Sequence, residues 1–311
     1  MSVTKIAEKI RSMEVRGAGR IARTAVLALK DHSIVADAKD LVTFQKEMES
    51  AADILLQTRP TAVSLPNAVN IVMKGVRDAN TLDDARKSLI NNAESFIDSS
   101  EKAVKHIAEI GARHIKDGDT ILTHCNSEVA IACIVEAHNQ GKRFEVFATE
   151  VRPRNQGHIT IKTLNDAGIK TSFIVDSAAR YFMKEISLVI TGSDAITVNG
   201  AVVNKIGTSQ IALCAHEAGI PFIVAAETYK FAPKTITGEM IQIEERDPSE
   251  VLDDATASKM PYVTVRNPAF DVTPADYVDL IITEQGAIPP EMAYVIIKEY
   301  LGWNIGDFDR E

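Results

Sequence analysis

The chain has 311 residues, 45% of them apolar and 25% charged, and carries a formal net charge of -9. This is the composition of a globular protein with room for one large domain or two unequal ones. The negative balance excludes a general nucleic-acid binder, which needs a basic face to neutralise phosphates, but is compatible with an anionic small ligand held by a few arginines.

The opening MSVTKIAEKIRSMEV scatters its charges and lacks the apolar run of a signal peptide, and no stretch approaches the length of a membrane span. The three cysteines, Cys125, Cys133 and Cys214, are odd in number and widely spaced. They fit neither a disulfide framework nor a zinc site, so reduced thiols, a cytoplasmic location and no bound metal are expected.

Up to about Asp117 the pattern is helix after helix. Gly17, Gly19, Pro60 and Pro66 punctuate the first part. Thr81 followed by Asp84 resembles a capping box. Leu82, Ala85, Leu89, Ala93, Phe96 and Ile97 then recur at helical spacing, and Ala103, Val104, Ile107 and Ile110 extend the stripe beyond a break expected at Ser99–Ser100. A helical N-terminal domain over 1–117 is predicted.

From Gly118 short β-branched runs alternate with helical stretches. Strands are expected at Thr120–Thr123, Phe144–Ala148, Ser172–Val175, Leu188–Thr191, Phe222–Ala225 and Val278–Ile282. Helices are expected at Glu128–Asn139, before Gly141, and at Ser209–Glu217, before Gly219. Continuous apolar strands between helices predict an α/β fold, a Rossmann-like parallel sheet covered on both faces, over 118–311. The acidic, polar stretch Arg246–Met260 reads as a surface excursion. Ligands of such sheets bind beyond the carboxyl ends of the strands, which directs attention to those ends.

The first strand runs into His124, Cys125, Asn126 and Ser127, with Ser127 as N-cap of the following helix. A thiol just before a helix N-terminus sits in a positive partial field that favours the thiolate. The spacing equally allows a thiol that merely packs at a strand end. His124 and Cys125 are adjacent on a strand and point to opposite faces, so His124 is read as structural. Cys133 and Cys214 lie among apolar helical neighbours and read as packing residues.

A later strand runs into Gly192, Ser193 and Asp194, bringing a carboxylate to the same sheet edge. After the Asn199–Gly200 turn come Asn204, Lys205, Ile206, Gly207 and Thr208. A lysine, a glycine and a threonine opening a helix can hold a phosphate through ammonium, backbone N–H and hydroxyl, or can simply form a capped helix. Arg16-Gly17-Ala18-Gly19, Arg59 before Pro60, and Arg152 before Pro153 are the other basic candidates. The first of these lacks the third glycine and the preceding strand of a dinucleotide fingerprint.

Taken in order, RGAG (16–19), TRPTA (58–62), THCNS (123–127), TEVRPRNQG (149–157), GSDAITVNG (192–200), NKIGT (204–208), AAETYKF (225–231) and NPAFDVTP (267–274) resemble one superfamily. It comprises methylthioribose-1-phosphate isomerases, ribose-1,5-bisphosphate isomerases and the regulatory subunits of initiation factor 2B. The resemblance covers almost the whole chain. It implies an active isomerase, because Cys125 and Asp194 match the catalytic positions that the regulatory subunits generally lack.

The wording of RGAG, TRPTAVSLPNA and AAETYKF is closest to the ribose-1,5-bisphosphate enzymes, which belong to a route of nucleoside-monophosphate (AMP) degradation. Asn126-Ser127 is nearer the methylthioribose enzymes, so that activity is the alternative, with a non-catalytic initiation-factor-like subunit as a second. By the same resemblance Arg16, Gly17, Arg59, Ser127, Arg152, Asn204 and Lys205 hold phosphates and sugar hydroxyls. Cys125 acts as base at C2, Asp194 acts as acid, and Lys205 points at phosphate rather than at Asp194. No cofactor is implied. AMP as activator and a dimer-based homo-oligomer, up to a hexamer, are further implications.

Overall fold

A computed structural model describes residues 2–59, 62–237 and 240–303. Pro60 and Thr61, read above as punctuation and as part of one motif, lie outside these residues. Packing divides the chain into two compact units, Met1–Ala103 and Val104–Glu311.

The first unit contains α1 (Val3–Arg11), α2 (Ala18–Val35), α3 (Leu41–Leu56), α4 (Ser64–Arg77) and most of α5 (Leu82–Ala112). α2 packs against α1, α3 and α4. Small residues on α2, Ala22 and Ala25, let the larger Leu29, Phe44, Met48, Leu65 and Met73 close a core from which water is excluded. At the start of α5 the Thr81 hydroxyl accepts from the backbone N–H of Asp84 at 3.1 Å and donates to its carboxylate at 2.7 Å. The break expected at Ser99–Ser100 does not occur, and α5 runs unbroken for 31 residues. Both serines are satisfied inside the helical geometry: Ser99 donates to the Phe96 carbonyl at 3.1 Å and Ser100 accepts from Arg23 at 3.1 Å.

The second unit follows in the order β1 (Thr120–Thr123), α6 (Glu128–Asn139), β2 (Glu145–Thr149), α7 (Gly157–Asp166), β3 (Thr171–Ile174), α8 (Ala179–Phe182) and β4 (Leu188–Gly192). Then come β5 (Ala195–Ile196), β6 (Val202–Lys205), α9 (Thr208–Ala218), β7 (Phe222–Ala225), α10 (Asp254–Ala257), β8 (Phe270–Thr273), β9 (Leu280–Thr283), β10 (Gly286–Ile288) and α11 (Ala293–Leu301). Seven strands form the main sheet in the order β10-β9-β7-β4-β1-β2-β3, parallel throughout except for β10. The six strands predicted from apolar runs are its six parallel members, shifted by at most two residues at an end.

Alternation along each strand builds two cores. Leu122, Val189, Val224 and Ile281 face one way, and Ile121, Ile190, Ile223 and Ile282 the other. Burial on both faces is why these strands read as continuous apolar runs. Ile107 and Ala112 at the end of α5 belong to the second of these cores, so the packing division falls inside α5.

A smaller antiparallel sheet, β5-β6-β8, was not predicted. Its strands are short and part-polar, and the Asn199–Gly200 turn sits inside its hairpin, with Gly200 at φ +81. This sheet carries Asn204 and Lys205.

α5 and α6 pack closely at Gly111, where a Cβ would meet Cys133 Sγ at 2.3 Å and its Cβ at 2.8 Å. Gly111→Ala is therefore expected to overpack this contact and to destabilise the protein by about 1–3 kcal/mol, measured as a lower midpoint of thermal or urea unfolding.

Candidate active site

The chain builds β1, β2 and β3 outward in one direction, then returns to place β4 on the other side of β1. Between β1 and β4 the strand order reverses, so their loops leave in opposite directions and open a crevice at the carboxyl edge. Cys125 follows β1 and Asp194 follows β4, so the two residues predicted to react flank that crevice.

Cys125 has φ +67, an uncommon conformation for a residue with a side chain. It is pinned there by Thr160 of α7, whose hydroxyl donates to the Cys125 carbonyl at 2.8 Å and lies 3.2 Å from Asn126 Oδ1. Its thiol donates to Gln156 Oε1 at 3.8 Å, a long bond suited to sulfur. Strain of this kind, held by surrounding bonds, marks functional positions. Ser127 caps α6 as predicted, its Oγ accepting from Ala130 N–H at 3.3 Å. Gly192 allows this approach: a Cβ there would lie 2.2 Å from Ser127 Oγ and 2.4 Å from Ser127 Cβ.

The electrostatics differ from the expectation of a ready thiolate. Burial pushes the Cys125 thiol up to about 11, outweighing the pull of Lys205, while Asp194 pushes it further and Arg246 draws it back. Position before a helix is a weak field beside the loss of water around sulfur.

Asp194 is partly buried and is held by its backbone, whose N–H donates to Val203 O at 2.9 Å. Val203 and Lys205 are two apart on β6, so the bond that fixes the carboxylate also fixes the register of the lysine. Lys205 is 6% exposed, donates to Ala269 O at 3.1 Å, and lies 4.5 Å from the centre of the Phe270 ring. Arg246 approaches the same ring at 5.9 Å, with a side chain only 9% exposed. The stretch read as a surface excursion thus turns one cation inward. Arg246 had no signal beyond being a lone arginine among acidic residues.

The NKIGT cradle is already occupied from within. Asp271 accepts from Gly207 N–H at 2.7 Å and from Ser209 N–H at 3.1 Å, capping α9 in place of an outside anion. Thr208 donates to Lys205 O at 2.6 Å, and buried Asn204 donates to Thr208 Oγ1 at 3.0 Å. Burial pushes the Asp271 carboxyl up to about 6 against the Gly207 and Ser209 N–H groups that favour its charge.

Arg152 is exposed and lies in a loop whose backbone is tightly held. Asp176 accepts from Val151 N–H and Arg152 N–H, each at 2.8 Å, and supports Val151 at φ +63. The same loop delivers Gln156 to Cys125. In the first unit, Arg16 and Arg59 converge on Met13: Arg16 Nε donates to its carbonyl at 2.6 Å and Arg59 Nη1 lies 3.5 Å from its sulfur. Gly17 at φ +85 opens α2 in a conformation that favours glycine. At the end of β7, Glu227 and Lys230 form a buried ion pair at 2.7 Å that sequence reasoning did not single out. Among the described residues no group of three or more His, Cys, Asp or Glu suits a metal ion. No helix among them is long and apolar enough to cross a membrane.

The sequence profile of the initiation factor 2 subunit family matches residues 14–290, almost the whole chain. The chain belongs to this family. A ribose 1,5-bisphosphate isomerase of Methanocaldococcus jannaschii is 56% identical over 95% of this chain and 94% of its own. One from Archaeoglobus fulgidus is also 56% identical, over 97% and 94%. A crystal structure from Pyrococcus horikoshii OT3, described as translation initiation factor eIF-2B, superposes with a TM-score of 0.80 at 34% identity, covering 93% of this chain and 97% of that one. The family therefore spans catalytic and initiation-factor names on one fold, and site chemistry must separate them.

Removing the Asp271 carboxylate tests the internal cap. Asp271→Ala should destabilise the protein by about 1–2 kcal/mol, as loss of a helix N-terminal acceptor does. Asp271→Asn, whose amide oxygen still accepts one N–H, should lose less in the same denaturation series.

Proposed function

We propose that the chain is an aldose–ketose isomerase that converts α-D-ribose 1,5-bisphosphate to D-ribulose 1,5-bisphosphate. The observation that carries the reading is the meeting of Cys125 and Asp194 across the β1–β4 crevice, beside two cations, Lys205 and Arg246. A binding subunit has no need of a strained thiol beside a carboxylate. The substrate follows from the relatives that share 56% of their residues with this chain over nearly its full length.

In the substrate the phosphate on O1 blocks opening to a free aldehyde. The ring oxygen must leave C1 with a proton from Asp194 while Cys125 takes the proton from C2. The C2–H electrons form the C1=C2 bond of an enol phosphate as the C1–O4 bond breaks. The 2-hydroxyl then returns its proton to Asp194, and C1 takes the proton held by Cys125 to give the 2-ketone with its phosphate retained. Acid and base are both regenerated. Lys205 and Arg246 supply positive charge where the enol phosphate gathers negative charge.

Arg16 and Arg59, with Gly17, suit a phosphate through paired guanidinium donors, and Ser127, Arg152 and Asn204 complete the proposed substrate contacts. We assign the helical domain to 1–117 and the catalytic domain to 118–311. A cytoplasmic homo-oligomer, dimer-based and up to a hexamer, acting in AMP degradation and activated by AMP, completes the proposal.

Proton NMR of the purified protein with α-ribose 1,5-bisphosphate, methylthioribose 1-phosphate and ribose 5-phosphate, with and without AMP, tests the reading. Ketose is expected from the bisphosphate alone, and Cys125→Ser or Asp194→Asn should lower turnover by about 10²–10⁴-fold. Conversion of the methylthio sugar instead would reassign the substrate, and conversion of none would favour the subunit reading.

The pH dependence tests the division of labour. A base works only when deprotonated, and the Cys125 thiol loses its proton near 11. With Cys125 as base and the titrating acid removed in Asp194→Asn, the residual kcat/KM should rise about tenfold per pH unit from about pH 7 to about pH 10. A residual profile flat over that range in Asp194→Asn would remove Cys125 from the role of base.

A further inference from the structure

His124 is 1% exposed, and both of its ring nitrogens are engaged. Nε2 lies 2.9 Å from Ile206 O and Nδ1 lies 2.6 Å from Thr149 Oγ1. A carbonyl can only accept, so Nε2 carries the proton, and in the neutral ring Nδ1 accepts from the Thr149 hydroxyl. Burial holds the ring neutral against the charge of Asp176, whose carboxylate lies 3.9 Å from Nδ1. Gly207 lies against the ring, where a Cβ would come within 3.1 Å of Cε1. The ring therefore joins the ends of β1 and β2 to the loop after β6.

The two chain segments it joins carry the reacting thiol and its principal cation. Cys125 is the next residue after His124, and Lys205 is the residue before Ile206. We propose that His124 is a positioning residue whose Nε2–H bond to Ile206 sets the approach of the Lys205 ammonium to the Cys125 sulfur. The proposal rests on the reading of Cys125 as the reacting thiol. The charged groups around that thiol are Lys205 on β6, Asp194 beyond β4 and Arg246 before β8, and those around the ring are Asp176 and Lys205.

The test compares His124→Gln, His124→Asn and Thr149→Val with the parent in the full-length protein. Ionisation of Cys125 is read from its rate of alkylation by iodoacetamide between about pH 8 and about pH 10.5. Gln can place an amide nitrogen where Nε2 stood, whereas Asn reaches only the Nδ1 position. His124→Asn should raise the thiol pKa by about one unit and lower kcat about tenfold with KM little changed. His124→Gln should restore most of both, and Thr149→Val should shift the thiol in the same direction by less. Thr149→Val keeps the side-chain volume and decides the matter if His124→Asn fails to fold. Identical thiol titration in the folded variants, whatever their unfolding midpoints, would overturn the proposal. The titration needs no substrate, so a shifted thiol in a protein that isomerises nothing would uphold the positioning role and overturn only the reaction.

Discussion

Burial of the parallel sheet on both faces is the constraint from which the rest follows. Once Leu122, Val189 and Val224 pack on one side and Ile121, Ile190 and Ile223 on the other, neither face has room for a ligand. Chemistry is confined to the edge where strands end and loops begin. There the reversal of strand order between β1 and β4 gives the only direction in which neighbouring loops part. The thiol and the carboxylate stand at that place because the topology leaves them nowhere else to meet.

The same edge concentrates polar groups that burial would otherwise forbid. Lys205 is nearly inaccessible, and its charge is supported by a carbonyl, an aromatic ring and the Asp271 carboxylate. Asp271 is held by two backbone N–H groups, and Asp176 by two more. Each loop is thus tied by bonds to a neighbouring loop rather than only to its own strand. Such cross-ties fix the distances that acid–base chemistry needs, and they explain how Cys125 and Val151 persist in backbone conformations that side chains disfavour.

Much of this was legible in the residues. The six parallel strands were readable because burial on both faces writes them as unbroken apolar runs, and the α6 cap because Ser127-Glu128 announces it. Cys125 and Asp194 could be placed at one edge from strand ends alone. The β5-β6-β8 sheet was not legible, since two to four mixed residues beside a turn carry too little periodicity. Arg246 was hidden for a different reason, since its place depends on where a long loop folds back; the Glu227–Lys230 pair is local, three residues apart, but its burial depends on what packs over the end of β7. The thiol's reluctance to ionise was misjudged because sequence shows the helix that follows but not the water that is removed. The capping of α9 by Asp271 was likewise invisible, the two segments being far apart in the chain and brought together by the pairing of β6 with β8.

Gly192 has a consequence for how this site can change over evolutionary time. Because its missing side chain lets the Ser127 cap of α6 rest directly on β4, the spacing between thiol and carboxylate is set by a serine side chain seated on glycine backbone. Loops above can lengthen, shorten or exchange charge without moving the thiol or the carboxylate. A family built this way can alter what it recognises far more freely than what it does, and a member can shed catalysis by losing the thiol and keep the scaffold intact.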